Sequence, residues 1–177
     1  MISKGNISLV EISLEGLNDF HEYSVKPQLY EYLEFDAFES IEESKSYLLK
    51  LIARSEGSSG NYFFIKLNDI DKIVGSIGYS DFNSFRKSAE IGYGLSPDFW
   101  GKKIFSKSCN LLLRHMFFER NIHRVMAKTA ITNTPSINGL QSLGFKQEGL
   151  LRDFYFIDGK WFDAAQFSLL SNEFNYE

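Results

Sequence analysis

At 177 residues, with 44% hydrophobic and 16% aromatic composition, the chain is long enough to bury a substantial core as one domain over 1–177, and too apolar for a disordered segment. A formal net charge of -4 and a pI of about 5.5 argue against nucleic acid as the main partner, which calls for a basic face, and suit a cationic substrate such as an amine. Cys109 is the single cysteine, so no intrachain disulfide can form, and its place on an apolar helical face reads as burial rather than catalysis.

Taken in chain order, Ile7 to Glu11 alternates and predicts a first strand. Ser13 can cap a helix from Leu14 to about Glu22, and Pro27 suits the first turn of a short helix to Leu33. Ser40-Ile41-Glu42-Glu43 is a capping box that opens a helix through Arg54, ended by Gly57-Ser58-Ser59-Gly60. Three strands follow, Tyr62 to Lys66, Ile73 to Tyr79 and Ser88 to Leu95, with turn chemistry at Asn68-Asp69 and Asn83-Ser84. After Lys103, the spacing of Ile104, Phe105, Cys109, Leu112, Leu113, Met116 and Phe117 predicts a helix that ends at Asn121. Val125 to Ile131 reads as a strand, and Ser136 to Leu143 as a short helix stopped by Gly144. Strands over Lys146–Ile157 and Lys160–Leu170 flank the hairpin dipeptide Asp158-Gly159. The pattern is a mixed α/β chain with one crossover helix.

Three constellations carry chemistry. Trp100-Gly101-Lys102-Lys103-Ile104-Phe105-Ser106 joins a strand to a helix N-terminus. It reads either as a phosphate cradle of backbone N–H groups helped by a lysine and Ser106, or as an ordinary connection with two solvated lysines. Asn133-Thr134-Pro135-Ser136 begins a short helix, where Ser136 is either a chemical hydroxyl or simply the cap. Glu90 lies on the strand before the turn at Gly101, as a free carboxylate able to accept a proton or as an exposed residue paired with Lys87 or Arg86. The acidic stretch Glu31, Glu34, Asp36, Glu39, Glu42, Glu43 can attract a cation, or be a solvated face with favourable charge at a helix start. The three histidines lack metal-ligand spacing, so no metal is expected. No long apolar run or cleavage pattern is seen, so a cytoplasmic protein without a membrane partner is expected.

The ordered set IVGSIGYSDF, AEIGYGLSPDFWGK, NTPSINGLQSLGFKQEG and the Asp158-Gly159 hairpin resembles the GNAT superfamily of N-acetyltransferases. The likeness is to its RimJ/RimL-like branch, which includes ribosomal-protein N-terminal acetyltransferases. It implies a single-domain fold built on a strongly twisted mixed sheet of about seven strands flanked by helices. Acetyl-CoA would enter a V-shaped gap between Ser88–Leu95 and Val125–Ile131. The resemblance places the backbone of Ile91 to Leu95, Gly94 included, along the pantetheine arm. It places Trp100, Gly101, Lys102, Lys103, Ile104, Phe105 and Ser106 at the diphosphate, and Asn133 and Ser136 near the sulfur. Two positions depart from the family's pattern: Lys103 stands where it has a glycine, and Phe105 where it has a small residue. A positive φ at Lys103 would be strained, and a cofactor-facing Phe105 would keep the diphosphate away.

The implied chemistry is direct transfer to a primary amine in a ternary complex. Glu90 takes the amine's proton through water, and Ser136 assists the departing thiolate; a tyrosine used by many relatives is Leu140 here. Glu34, Phe82 and Tyr155 are placed at the acceptor. A protein N-terminal α-amine is the first acceptor read from the likeness. The alternatives are a small amine (polyamine, amino sugar or antibiotic) and a non-catalytic acyl-CoA-binding module. A monomer or homodimer is expected, with no nucleic-acid partner.

Overall fold

The computed structural model describes residues 1–175. They form one eight-stranded sheet in the order β1-β2-β3-β4-β5-β6-β8-β7, with four α-helices. The strands are β1 (Ile2–Lys4), β2 (Ile7–Glu11), β3 (Asn61–Leu67), β4 (Lys72–Asn83), β5 (Ser88–Leu95), β6 (Arg124–Ala130), β7 (Lys146–Ile157) and β8 (Lys160–Leu170). The helices are α1 (Leu17–Ser24), α2 (Ile41–Glu56), α3 (Ile104–Arg114) and α4 (Thr134–Ser142). Every neighbouring pair is antiparallel except β5 and β6, which α3 joins as a crossover.

Most elements follow their sequence signals. Ser40 Oγ accepts from Glu43 N at 3.2 Å and caps α2, while the Glu43 carboxylate reaches back to Glu39 N at 2.9 Å, one residue short of the reciprocal box. Asp158 and Gly159 turn the β7–β8 hairpin with φ of 49° and 74°, the left-handed pair that a tight hairpin needs. The differences from the sequence reading are local. The strand count is eight because β1 pairs with β2 across a turn at Gly5, too short a stretch to show periodicity. The stretch after Ser13 starts as a 3-10 turn, Leu14–Gly16, and becomes helical only at Leu17; the stretch after Pro27 stays a 3-10 turn to Tyr30. The crossover helix ends in a π-turn over His115–Glu119, closed by Arg120 N to His115 O at 3.0 Å.

The sheet buries both faces. One face packs against α3 and α4 through Leu9, Ile65, Ile77, Ala89, Val125 and Phe167, all 1% exposed or less. The other packs against α1 and α2 through Phe64, with Phe20, Tyr23, Leu48 and Leu51. Cys109 is fully buried on the α3 side, and burial pushes its thiol up to about 12. On the α1/α2 face, Tyr62 of β3 lies over Gly78 of β4. A Cβ at Gly78 would fall 2.4 Å from the Asn61 carbonyl and 2.5 Å from the Tyr62 ring. Gly78→Ala should therefore destabilise the chain by about 1–3 kcal/mol, the usual cost of overpacking. Urea unfolding should show a lower midpoint at unchanged slope; an unchanged midpoint would mean that this part of the sheet yields.

Candidate active site

The site begins where β5 and β6 part. They pair in parallel only from Ser88–Arg124 to Glu90–Met126, after which β5 follows β4 and β6 follows β8. Lys87 O, on the β6 side, accepts from His123 N and Arg124 N, whereas Ser96 N donates across to Val74 O on β4. Alternation then directs the backbone groups of Ile91, Tyr93 and Leu95 into the gap and those of Glu90, Gly92 and Gly94 toward β4. The Leu95 carbonyl is taken by the Trp100 indole N–H at 2.7 Å. The groups of Ile91 and Tyr93 are the ones that line the wedge.

On the α3 side of the gap, the turn at Gly101, Lys102 and Lys103 is exposed to solvent. Gly101 has φ 72°, and Lys103, the N-cap of α3, has φ 60° and ψ 14°. No side chain caps α3 among the described residues, so the first-turn N–H groups at Ile104, Phe105 and Ser106 point outward beside two lysines. Lys102 Nζ lies 4.9 Å over the Phe99 ring. Phe105 does not face this turn. Its ring packs on Tyr93, with centroids 4.5 Å apart, and against Gly139 of α4, where a Cβ would fall 2.7 Å from it.

Asn133, not Ser136, caps α4: its Oδ1 accepts from Ser136 N at 3.1 Å, and the helix opens at Thr134 with Pro135 in its first turn. The Ser136 hydroxyl is left for another partner, the Tyr93 phenol, at 2.7 Å. Burial holds that phenol protonated far above its ordinary range. The reading of Ser136 as the sole hydroxyl here is thus incomplete. Leu140, one turn on, is fully buried and has no access to the gap.

Glu90, Gly92 and Gly94 look out on the α1/α2 face. Glu90 pairs with Lys128 of β6, Oε2 to Nζ 2.9 Å, rather than with Lys87 or Arg86. Lys128 also lies 5.1 Å over the Phe154 ring. Burial, with the nearby charges of Glu90 and Glu34, pushes the Tyr155 phenol up to about 12. Glu34 Oε1 accepts from Phe156 N at 3.0 Å, which ties the segment before α2 to β7. Glu34, Glu90 and Tyr155, far apart in sequence, therefore meet on one face. Phe82 does not join them. The register shifts between Ser80 and Asn83, with Asp81 at φ 55°, and this bulge turns Phe82 into the α3-side core.

The sequence reading missed Tyr93 and Lys128. Alternation in AEIGYGL and RVMAKTA places Tyr93 with the core residues and Lys128 opposite them, which was the available signal. Among the described residues, no cluster of His, Cys, Asp or Glu could hold a metal ion, and no helix is long and apolar enough to cross a membrane.

Residues 6–146 match the family of acetyltransferase (GNAT) domains. The chain belongs to that family and is an acyltransferase of the N-acetyltransferase type. It is 31% identical over 168 residues, 95% of this chain and 94% of the other, to the uncharacterised N-acetyltransferase p20 of Bacillus licheniformis. The ribosomal-protein-S5-alanine acetyltransferase of Vibrio fischeri superposes with a TM-score of 0.85 at 25% identity, over 98% of this chain and 97% of that one. The spermidine N-acetyltransferase of Vibrio cholerae, solved with CoA and spermine, superposes with a TM-score of 0.83 at 20% identity, over 96% and 98%.

Lys103 occupies a left-handed conformation, which costs a non-glycine residue about 1–3 kcal/mol. Lys103→Gly relieves that strain, and the added freedom of the unfolded chain takes back about 0.5–1 kcal/mol. Thermal unfolding should move up. Acetyl-CoA affinity by calorimetry should hold or improve; a tenfold rise in Kd would show that the lysine side chain itself holds phosphate.

Proposed function

We propose that the chain transfers an acetyl group from acetyl-CoA to a primary amine by direct attack in a ternary complex, and that the acceptor is a protein N-terminal α-amine. The observation that carries this reading is the opening between β5 and β6, with Ser136 on its α3 side and Glu90 on the opposite face. The residues present suit acetyl-CoA. The uncapped start of α3 and the left-handed Lys103 offer N–H groups to a diphosphate, the gap-facing backbone of Ile91 and Tyr93 offers pairing to an amide-bearing arm, and Asn133 and Ser136 lie at its inner end. Because Phe105 packs inward, this departure from the family pattern leaves the turn clear. Acetyl-CoA supplies the activated thioester.

In this reading, gap-facing N–H groups polarise the carbonyl, Glu90 takes the amine's proton through water, and the Ser136 hydroxyl meets the charge on the departing sulfur. Tyr155 stays a neutral phenol over the working pH range and can accept from the incoming ammonium or donate to a peptide carbonyl. The likeness to the S5-alanine acetyltransferase supports an α-amine acceptor. A polyamine is the second reading, favoured by Glu34 and Glu90 together on the acceptor face, although Lys128 offsets one of these charges. RimJ/RimL-like substrate choice and a cytoplasmic setting belong to the same proposal.

Calorimetry should show acetyl-CoA binding well above ATP, which lacks the pantetheine arm. Mass spectrometry of an alanine-initiated peptide should then show acetylation at the α-amine, faster than spermidine; spermidine turnover alone would move the acceptor to the polyamines. Equal affinity for ATP and acetyl-CoA would overturn the cofactor assignment. Ser136→Ala should lower kcat and kcat/KM together, by about 10²-fold, with acetyl-CoA affinity little changed. Because Asn133 caps α4 through the Ser136 backbone, the helix start survives in this variant, and stability should fall only by the lost Tyr93 hydrogen bond, about 1 kcal/mol. Earlier melting at full kcat would reduce the serine to a structural group.

A further inference from the structure

Tyr93 is a partly buried tyrosine whose phenol meets Ser136 on the α3 side of the gap, and the sequence reading gave its side chain no role. We propose that Tyr93 is a positioning residue for acyl transfer: its phenol donates to Ser136 Oγ and so leaves the serine's own proton directed at the departing sulfur. This rests on the acyl-transfer reading above and adds to it the group that orients the hydroxyl.

The geometry supplies each step. A helical serine can turn its hydroxyl back onto a backbone carbonyl three or four residues earlier, which would spend its proton locally. Here the Ser136 N–H is already bound to Asn133 Oδ1, and the hydroxyl meets Tyr93 Oη at 2.7 Å. A phenol is a better donor and a poorer acceptor than an alcohol, because its oxygen lone pair is shared with the ring. The Tyr93-to-Ser136 direction is therefore the favoured one. Burial keeps the phenol protonated, so the donation persists across the working pH range. The ring cannot swing away freely. Phe105 covers it at 4.5 Å, and Phe105 is in turn seated on Gly139 of α4, so the helix carrying Ser136 and the strand carrying Tyr93 are fixed to each other.

The balance is simple. The amine nitrogen bonds to the carbonyl carbon, the carbon–sulfur bond breaks, and its electron pair leaves on sulfur. The amine's proton goes to Glu90 through water. The sulfur's charge is met by the Ser136 O–H, the free thiolate takes a proton from solvent, and Tyr93 keeps its own throughout.

The test uses the full chain and three variants, Tyr93→Phe, Ser136→Ala and the double. Tyr93→Phe keeps the ring that packs on Phe105. CoA bound to each protein is titrated by the ultraviolet absorbance of its thiolate. Cys109 does not interfere, since burial pushes its thiol up to about 12. The wild type should titrate below free CoA. Both single variants should shift the bound thiol upward, and the double no further than Ser136→Ala, because the two groups act through one hydroxyl. With the better of spermidine and the alanine-initiated peptide, Tyr93→Phe should lower kcat about tenfold, the effect of one lost hydrogen bond. Its Kd for acetyl-CoA should stay within about twofold. Tyr93→Phe with unchanged titration and unchanged kcat would make the phenol a packing group and overturn the inference alone. An equal loss in Kd and kcat would make it a wall of the binding gap, again overturning it. If the wild type binds neither CoA nor acetyl-CoA, the acyl-transfer reading itself falls, and this inference with it.

Discussion

The whole arrangement depends on β5 and β6 pairing for three residues and then parting. A parallel pair buried on both faces normally continues its ladder, because an unpaired N–H or C=O in a sheet interior is costly. Here each strand keeps its other neighbour: β5 stays on β4 to Leu95, and β6 stays on β8 to Ala130. The parting therefore removes one ladder while both strands remain held. What it leaves is a set of backbone groups aimed into a crevice that crosses the sheet from the α3 face to the α1/α2 face. Such groups are rigid donors and acceptors whose positions are fixed before any ligand arrives, which is the property that electrostatic catalysis requires.

Phe105 and Leu140, both unlike the family pattern, belong to one packed cluster. A phenylalanine at position 105 could have filled the turn at Gly101, Lys102 and Lys103. Instead it points inward, and it can do so because position 139 on α4 is glycine: any Cβ there would meet the ring. The inward ring then supports Tyr93, whose hydroxyl reaches Ser136. In the same helix, position 140 carries a fully buried leucine where many relatives have a tyrosine. Phe105, Gly139 and Tyr93 thus form one packed junction between α3, α4 and β5. Lys103 is different: it keeps the left-handed backbone of the glycine it replaces, so the turn's shape is preserved at the cost of strain.

Much of this was legible in the sequence, for identifiable reasons. β2, β5, β7 and β8 follow from alternation and from the Asp158-Gly159 turn, which are local signals read at their own positions. Glu34 was singled out by charge and Glu90 and Tyr155 by family likeness, but their meeting was not legible in the sequence, since β7 and the segment before α2 touch only by tertiary packing. Tyr93 was missed because a tyrosine among alternating apolar residues looks like an ordinary core side chain. Only the partner across the gap distinguishes it. The cap of α4 was misread for a smaller reason: Asn133 and Ser136 are both good capping residues, and the choice between them turns on whether the helix starts three residues earlier or later.

Helix position has a counterpart in the sheet, where one irregularity decides which face receives a large ring. Strict alternation along β4 would put Phe82 on the same face as Ser80, whose register partner is Glu90. A large ring there would crowd the carboxylate and Lys128. The register shift between Ser80 and Asn83, with Asp81 in the left-handed region, turns Phe82 through the sheet into the α3-side core. The bulge thus does two things with one residue: it adds an aromatic group to the core and leaves the face around Glu90 open. Sequence alternation alone cannot show this, because a bulge is defined by the partner strand's register. Asp81 is the residue that bears the unusual φ, and aspartate is among the few non-glycine residues that accept it readily.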